Sequence, residues 1–168
     1  NGQKNTEQVR IFSDDPWALL PGSGESARRT NPLSRELARF IEWITRDRIP
    51  GFSPKLVFRK DRFGRGGDHT PFHEKGFPAV RFVEVHEEYT RQHTPDDLVE
   101  HMDFEYLANV AKLNALALLS LAQADEAPQN VRIVRDQSHD THLTWKAKPD
   151  VCYTIYWRET TSPIWQDS

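Results

Sequence analysis

The sequence predicts an α/β fold, continued by the first strands of an all-β sandwich. Two observations carry that expectation. Up to Ala122, strand-like apolar runs take turns with stretches whose apolar residues recur every three or four positions, in the order strand, helix, strand, strand, helix. Beyond Pro128 the helical period disappears: "NVRIVRD", "THLTWKA" and "VCYTIYWRET" are short, alternate with a period of two, and are rich in β-branched and aromatic residues. The expected division is residues 1–126 for the α/β part and 127–168 for the partial sandwich.

"VRIF" (Val9 to Phe12) alternates between polar flanks and reads as a strand. The Pro-, Gly- and Ser-rich "SDDPWALLPGSGESARRTNP" reads as a long loop. Leu37, Phe40, Ile41 and Ile44 then recur at helical spacing, with Ser34 or Asn31 as candidate caps and Pro50-Gly51 as the stop. "KLVFRK" (Lys55 to Lys60) is strand-like, "DRFGRGGDHTPF" is a glycine-punctuated loop, and "AVRFVEV" (Ala79 to Val85) is a buried-strand candidate after the turn "KGFP". Asp103 is placed to cap a long helix whose Leu107, Val110, Ala111, Asn114, Ala117, Leu118 and Leu121 share a face, broken near "ADEAPQN". About three strands follow, where a complete sandwich of this kind uses about seven.

Composition narrows the function classes. With 22 basic and 25 acidic side chains interspersed along 168 residues, the net charge is -3, and no positive field invites nucleic acid or anionic lipid. The longest apolar stretch, Ala115 to Ala122, is too short for a membrane span. "NGQKNTEQVR" has neither the basic nor the apolar region of a signal peptide. The single cysteine, Cys152, excludes an internal disulfide and a Cys-rich zinc site, and its strand-like surroundings predict a buried apolar role.

The chemistry-bearing stretch runs from Gly66 to Leu98, with His69, His73, His86 and His93 among acidic residues. His69 and His73 are four apart, but Pro71 between them argues against a helical ligand pair, and "HEKGF" is not the HExxH of a metalloprotease helix. Adjacent Glu87-Glu88 is expected to be a solvated pair. His73 and His86 sit among charged neighbours, so alanine at either is expected to do little to metal binding. His93 differs in place: it follows strand "AVRFVEV" and precedes the turn "TPDD" and a helix, and loops beyond the carboxyl ends of strands are where sites form in open α/β sheets.

Three ordered motifs then give a resemblance. Gly67-Asp68-His69 before Pro71-Phe72, Gly76-Phe77-Pro78-Ala79 entering a strand, and His93-Thr94 before Asp96-Asp97 closely resemble the C-terminal half of the catalytic domain of the co-catalytic di-zinc exopeptidases. This is the aminopeptidase Y and bacterial leucyl aminopeptidase type, a family that also contains glutaminyl cyclases. The resemblance covers roughly Asn1 to Ala122. It implies a three-layer α/β/α fold, His93 as a zinc ligand, and Asp68 as a neighbour that supports the metal site by hydrogen bonding. Glu84, Tyr89 and Gln92 fall where relatives line the substrate pocket. Gln92 replaces the tyrosine that some relatives carry before this histidine to steady an oxyanion, so either Tyr89 serves instead or that contribution is lost. His69 is left as structural. The other ligands of the two zinc ions and the general-base Glu are expected in segments preceding Asn1, so this chain alone is expected to be inactive.

The reading is the C-terminal part of a secreted or periplasmic zinc aminopeptidase acting on peptides, followed by a fibronectin type III-like module. A glutaminyl cyclase is the alternative within the fold, and a non-catalytic binding module the alternative outside it. Trp145, Tyr153, Tyr156 and Trp157 are expected mainly as core of the module.

Overall fold

The computed structural model describes residues 6–13, 33–59, 66–134 and 141–166. Residues 14–32, which hold all but the first residue of the "SDDPWALLPGSGESARRTNP" segment and the candidate cap Asn31, lie outside them. Within them, strand β1 (Gln8–Phe12) is the centre of a three-stranded sheet of order β2-β1-β3, with β2 spanning Ser53–Val57 and β3 Arg81–Glu84. β1 runs parallel to β2 and antiparallel to β3. Ile11 is aligned with Leu56 on one side and Phe82 on the other, so one apolar row crosses all three strands. The opposite face of β1 carries Arg10 and the buried Phe12.

The apolar row is covered by two helices, α1 (Leu33–Thr45) and α3 (Phe104–Ala122), which also touch each other. Val9 and Ile11 of the sheet, Ala38 and Ile41 of α1, and Leu113 and Ala117 of α3 form one core with Ile49 and Phe52. Both helices thus lie on the same face, and the described residues make two layers of the expected three. Leu37, Phe40 and Ile44 pack against this core, as their spacing predicts. Ser34 does not cap α1, because the helix is already under way at Leu33. Its fully buried hydroxyl serves the loop after α2 instead, accepting from the Ala79 amide at 3.3 Å.

Asp103 does cap α3, accepting from the Tyr106 amide at 3.0 Å. The buried stripe of α3 is Tyr106, Val110, Leu113 and Ala117, whereas Leu107, Leu118 and Leu121 of the expected face are 44%, 67% and 48% exposed. The helix is apolar nearly all round, and such a sequence leaves the rotation about its own axis unspecified; contact with α1 and β1 selects the stripe. No helix among the described residues is long and apolar enough to cross a membrane.

A short helix α2 (Thr70–Glu74) lies where a loop is expected. Pro71 sits in its first turn, where the missing amide has no helical partner to lose, so the proline opens this helix instead of breaking it. Gly67 precedes it: a Cβ there would stand 3.1 Å from His69 Nδ1 and 3.3 Å from Arg81 Nε, so a larger residue would push these two side chains aside by a few tenths of an ångström.

After α3, β4 (Gln129–Ile133) and β5 (Leu143–Lys146) pair as an antiparallel ribbon separate from the first sheet. The third expected strand does not form: residues 151–156 are irregular, and only Trp157 bridges, to Gln166. Cys152 is exposed in this segment, not buried in a strand. The reason is visible in the packing. Tyr156 meets Trp43 of α1 edge-on with ring centroids 4.9 Å apart, and Arg39 Nε of α1 donates to the Pro163 carbonyl at 3.0 Å. The Arg158 guanidinium lies 3.8 Å from Glu36, which also pairs with Arg39 at 2.6 Å. The segment follows α1 in place of a sheet. Trp145 and Tyr153 stack edge-on at 6.0 Å, while Trp157 is half exposed.

Candidate functional site

The loop from Val85 to Leu98 leaves β3 and carries most of the residues singled out by the sequence. Because β3 runs antiparallel to β1, which is itself parallel to β2, this loop lies beyond the carboxyl end of β3 but at the amino ends of β1 and β2. The expectation from strand ends therefore holds for β3 alone. The loop closes on a four-residue turn, Arg91 to Thr94, in which the Thr94 amide donates to the Arg91 carbonyl at 3.1 Å. His93 stands at the third position of this turn with φ 62° and is exposed. A positive φ there is what a type II turn requires, and a non-glycine residue holding it costs about 1–2 kcal/mol. Thr94 stabilises the arrangement: its hydroxyl donates to the Arg91 carbonyl at 2.7 Å and accepts from the Asp96 amide at 3.2 Å. The Thr of the His-Thr pair is thus a turn clamp, a role its hydroxyl beside "PDD" could have signalled.

Glu87 and Glu88, expected as a solvated pair, have different surroundings. The Glu87 side chain is only 4% exposed and pairs with Arg10 of β1 at 2.9 Å. Arg10 also donates from Nε and Nη2 to the Glu84 carbonyl, at 3.0 and 2.7 Å. Tyr89 donates its hydroxyl proton to Glu87 at 2.7 Å. That proton is committed to a carboxylate, which leaves the Tyr89 hydroxyl none to offer an oxyanion in this arrangement. Glu88 is exposed, and the hydroxyl and amide of Thr90, at 2.6 and 3.0 Å, hold its carboxyl below the usual range. Neither Arg10 nor the burial of Glu87 has a sequence signal, since the pairing joins residues 77 apart.

Next to the loop is a cleft of about 470 Å³ floored by Val9, Phe82 and Val110 and rimmed by Glu84, His86, Gln92 and His101. Of the predicted pocket residues, Glu84 and Gln92 line it, and Tyr89 does not. Tyr106 forms its wall and donates to the Gln8 carbonyl at 3.1 Å. Burial pushes the Tyr106 phenol up to about 12, the Glu84 carboxylate adding to the effect and Arg10 opposing it.

The other histidines separate clearly. His73 is buried, contrary to its charged surroundings in the sequence. Its Nε2 lies 3.0 Å from the Ala79 carbonyl, which can only accept, so Nε2 carries the proton and shares it with Ser34 Oγ at 3.2 Å. His69 precedes α2 and stacks edge-on against His73 at 5.3 Å, which agrees with a structural role. Asp68 is exposed in the turn before α2, and the N-cap position falls to His69.

A metal can be tested against these donors. Among the described residues, no three His, Cys, Asp or Glu side chains converge on one point, so this part of the fold does not assemble a zinc centre by itself. His93, exposed in its turn, carries an imidazole with the chemistry to contribute one ligand to such a centre.

Comparison with known proteins agrees with the motifs. The model of peptidase family M28 matches residues 24–118. A probable zinc metalloprotease of Leptosphaeria maculans is 34% identical over 98% of this chain, which spans 42% of that protein. Proteins of the same description from Pyrenophora teres and Phaeosphaeria nodorum are 35% and 39% identical, again over 98% of this chain and over 38% and 37% of their own lengths. No solved structure matches at a significant level. The chain therefore spans about two fifths of these relatives.

Proposed function

Because the chain belongs to peptidase family M28, we propose that it is the C-terminal part of the catalytic domain of a secreted zinc aminopeptidase, which removes N-terminal residues from peptides. His93 supplies one imidazole to a pair of zinc ions whose other ligands, with the general-base carboxylate, come from the rest of the protein. When bound, zinc lowers the pKa of a water and polarises the scissile carbonyl. Asp68 supports the site by hydrogen bonding, Glu84 and Gln92 face the substrate across the cleft, and residues from 127 begin an appended fibronectin type III-like module. The relatives' description as zinc metalloproteases supports this reading.

The observation that carries it is the backbone of His93. A histidine held at φ 62° in a clamped turn beside a cleft keeps an unfavourable conformation at an exposed position. Such strain persists where the surroundings impose it, and it concentrates at ligand sites. The test is His93→Ala in the full-length protein. One zinc ion per chain and nearly all hydrolysis of aminoacyl chromogenic substrates should be lost. A variant that still holds two ions would remove His93 from the site.

A further inference from the structure

We propose that Arg10 and Glu87 are positioning residues that fix the loop carrying His93 to the sheet, so that the ligand's placement depends on an ion pair with β1. This rests on the reading of His93 as a zinc ligand. The loop's own described side-chain bonds are local: Thr90 to Glu88, Thr94 to Arg91, and Asp96 to Thr94 each span two or three residues. Such bonds shape a loop without themselves joining it to the sheet. Arg10 makes the attachment. Its guanidinium fork takes the Glu84 carbonyl at the last residue of β3 with two bonds and the Glu87 carboxylate, three residues further on, with a third. One side chain thereby sets the angle at which the chain leaves the sheet. A planar fork fixes direction as well as distance, which a lysine ammonium does not.

Burial gives the pair its hold. The Glu87 side chain is 4% exposed and that of Arg10 19%, so the attraction is poorly screened, and Glu87 also accepts from Tyr89 two residues nearer the turn. From β1 the path runs through Arg10, Glu87 and Tyr89 to the turn at Arg91, whose third position is His93. A metal ligand needs its nitrogen held within a few tenths of an ångström, and a loop closed only by local turns swings about its ends.

The experiment uses the full-length protein with Glu87→Ala, Glu87→Gln, Arg10→Lys and, in parallel, His93→Ala. Zinc affinity is read by chelator competition, ligand geometry by the visible spectrum of the cobalt-substituted protein, and folding by melting temperature. Glu87→Ala should weaken one zinc ion about 10–100-fold and move the cobalt band, the range seen when a group orienting a ligand is lost. Glu87→Gln, which still accepts from Arg10 and Tyr89, should recover most of the affinity. Arg10→Lys should behave like Glu87→Ala. Unchanged zinc affinity and cobalt spectrum in Glu87→Ala, whatever its melting temperature, would overturn the proposal, and if that variant does not fold, the same result in Arg10→Lys would do so. His93→Ala separates the two levels: retention of both ions defeats the ligand reading, whereas loss of one ion there beside full affinity in Glu87→Ala defeats only the positioning role.

Discussion

His73 shows what a single buried side chain decides. Its sequence neighbours Phe72, Glu74 and Lys75 suggest a wet surface, yet the residue is 4% exposed and its ring ties α2 to α1 and to the entry of β3 through Ser34 and the Ala79 carbonyl. The charged neighbours point away because α2 turns them around its axis, a rotation absent from a loop reading. Truncating His73 removes the donor and leaves the Ala79 carbonyl short of a partner, at about 1–3 kcal/mol. His73→Ala should therefore lower the denaturant midpoint without changing zinc stoichiometry. A midpoint equal to that of the unaltered protein would show that the ring holds nothing.

At the scale of elements, Tyr106 fastens the start of α3 to the start of β1 through the Gln8 carbonyl. Its phenol is neutral in the fold and pushed up to about 12 by burial, against an ordinary value near 10 in the unfolded chain. The sign follows from linkage. The unfolded phenol ionises first, so the stabilisation is complete below pH ~10 and is lost as pH rises toward ~12. Urea unfolding across that window should show an alkaline fall in stability, and Tyr106→Phe should flatten it. An equally steep fall in Tyr106→Phe would assign the alkaline loss to other groups. The existence of α3 and its cap were readable, because Asp103 stands ahead of an unbroken helical run. Which side of α3 is buried was not, since Leu107, Leu118 and Leu121 are as apolar as Leu113.

For the molecule as a whole, the described core joins β1, α1 and α3, while the C-terminal segment is braced on α1 by Tyr156, Arg158 and the Pro163 carbonyl. Among the described residues no three His, Cys, Asp or Glu side chains converge on one point, where a catalytic zinc needs about three protein ligands. The isolated chain with added zinc should thus show no hydrolysis of aminoacyl substrates. Chelator-sensitive turnover by it would mean that its own residues complete the centre. By itself the sequence determined the α/β order of elements, the Asp103 cap, the core face of α1 and the motifs around His93, because period and capping chemistry act between residues a few positions apart. Only the tertiary structure decided the buried stripe of α3, the burial of His73 and Glu87, the Arg10 fork and the course of residues 151–166. Each of these depends on which distant surface a side chain meets, and an apolar or charged residue has many such surfaces to choose from until the chain has closed.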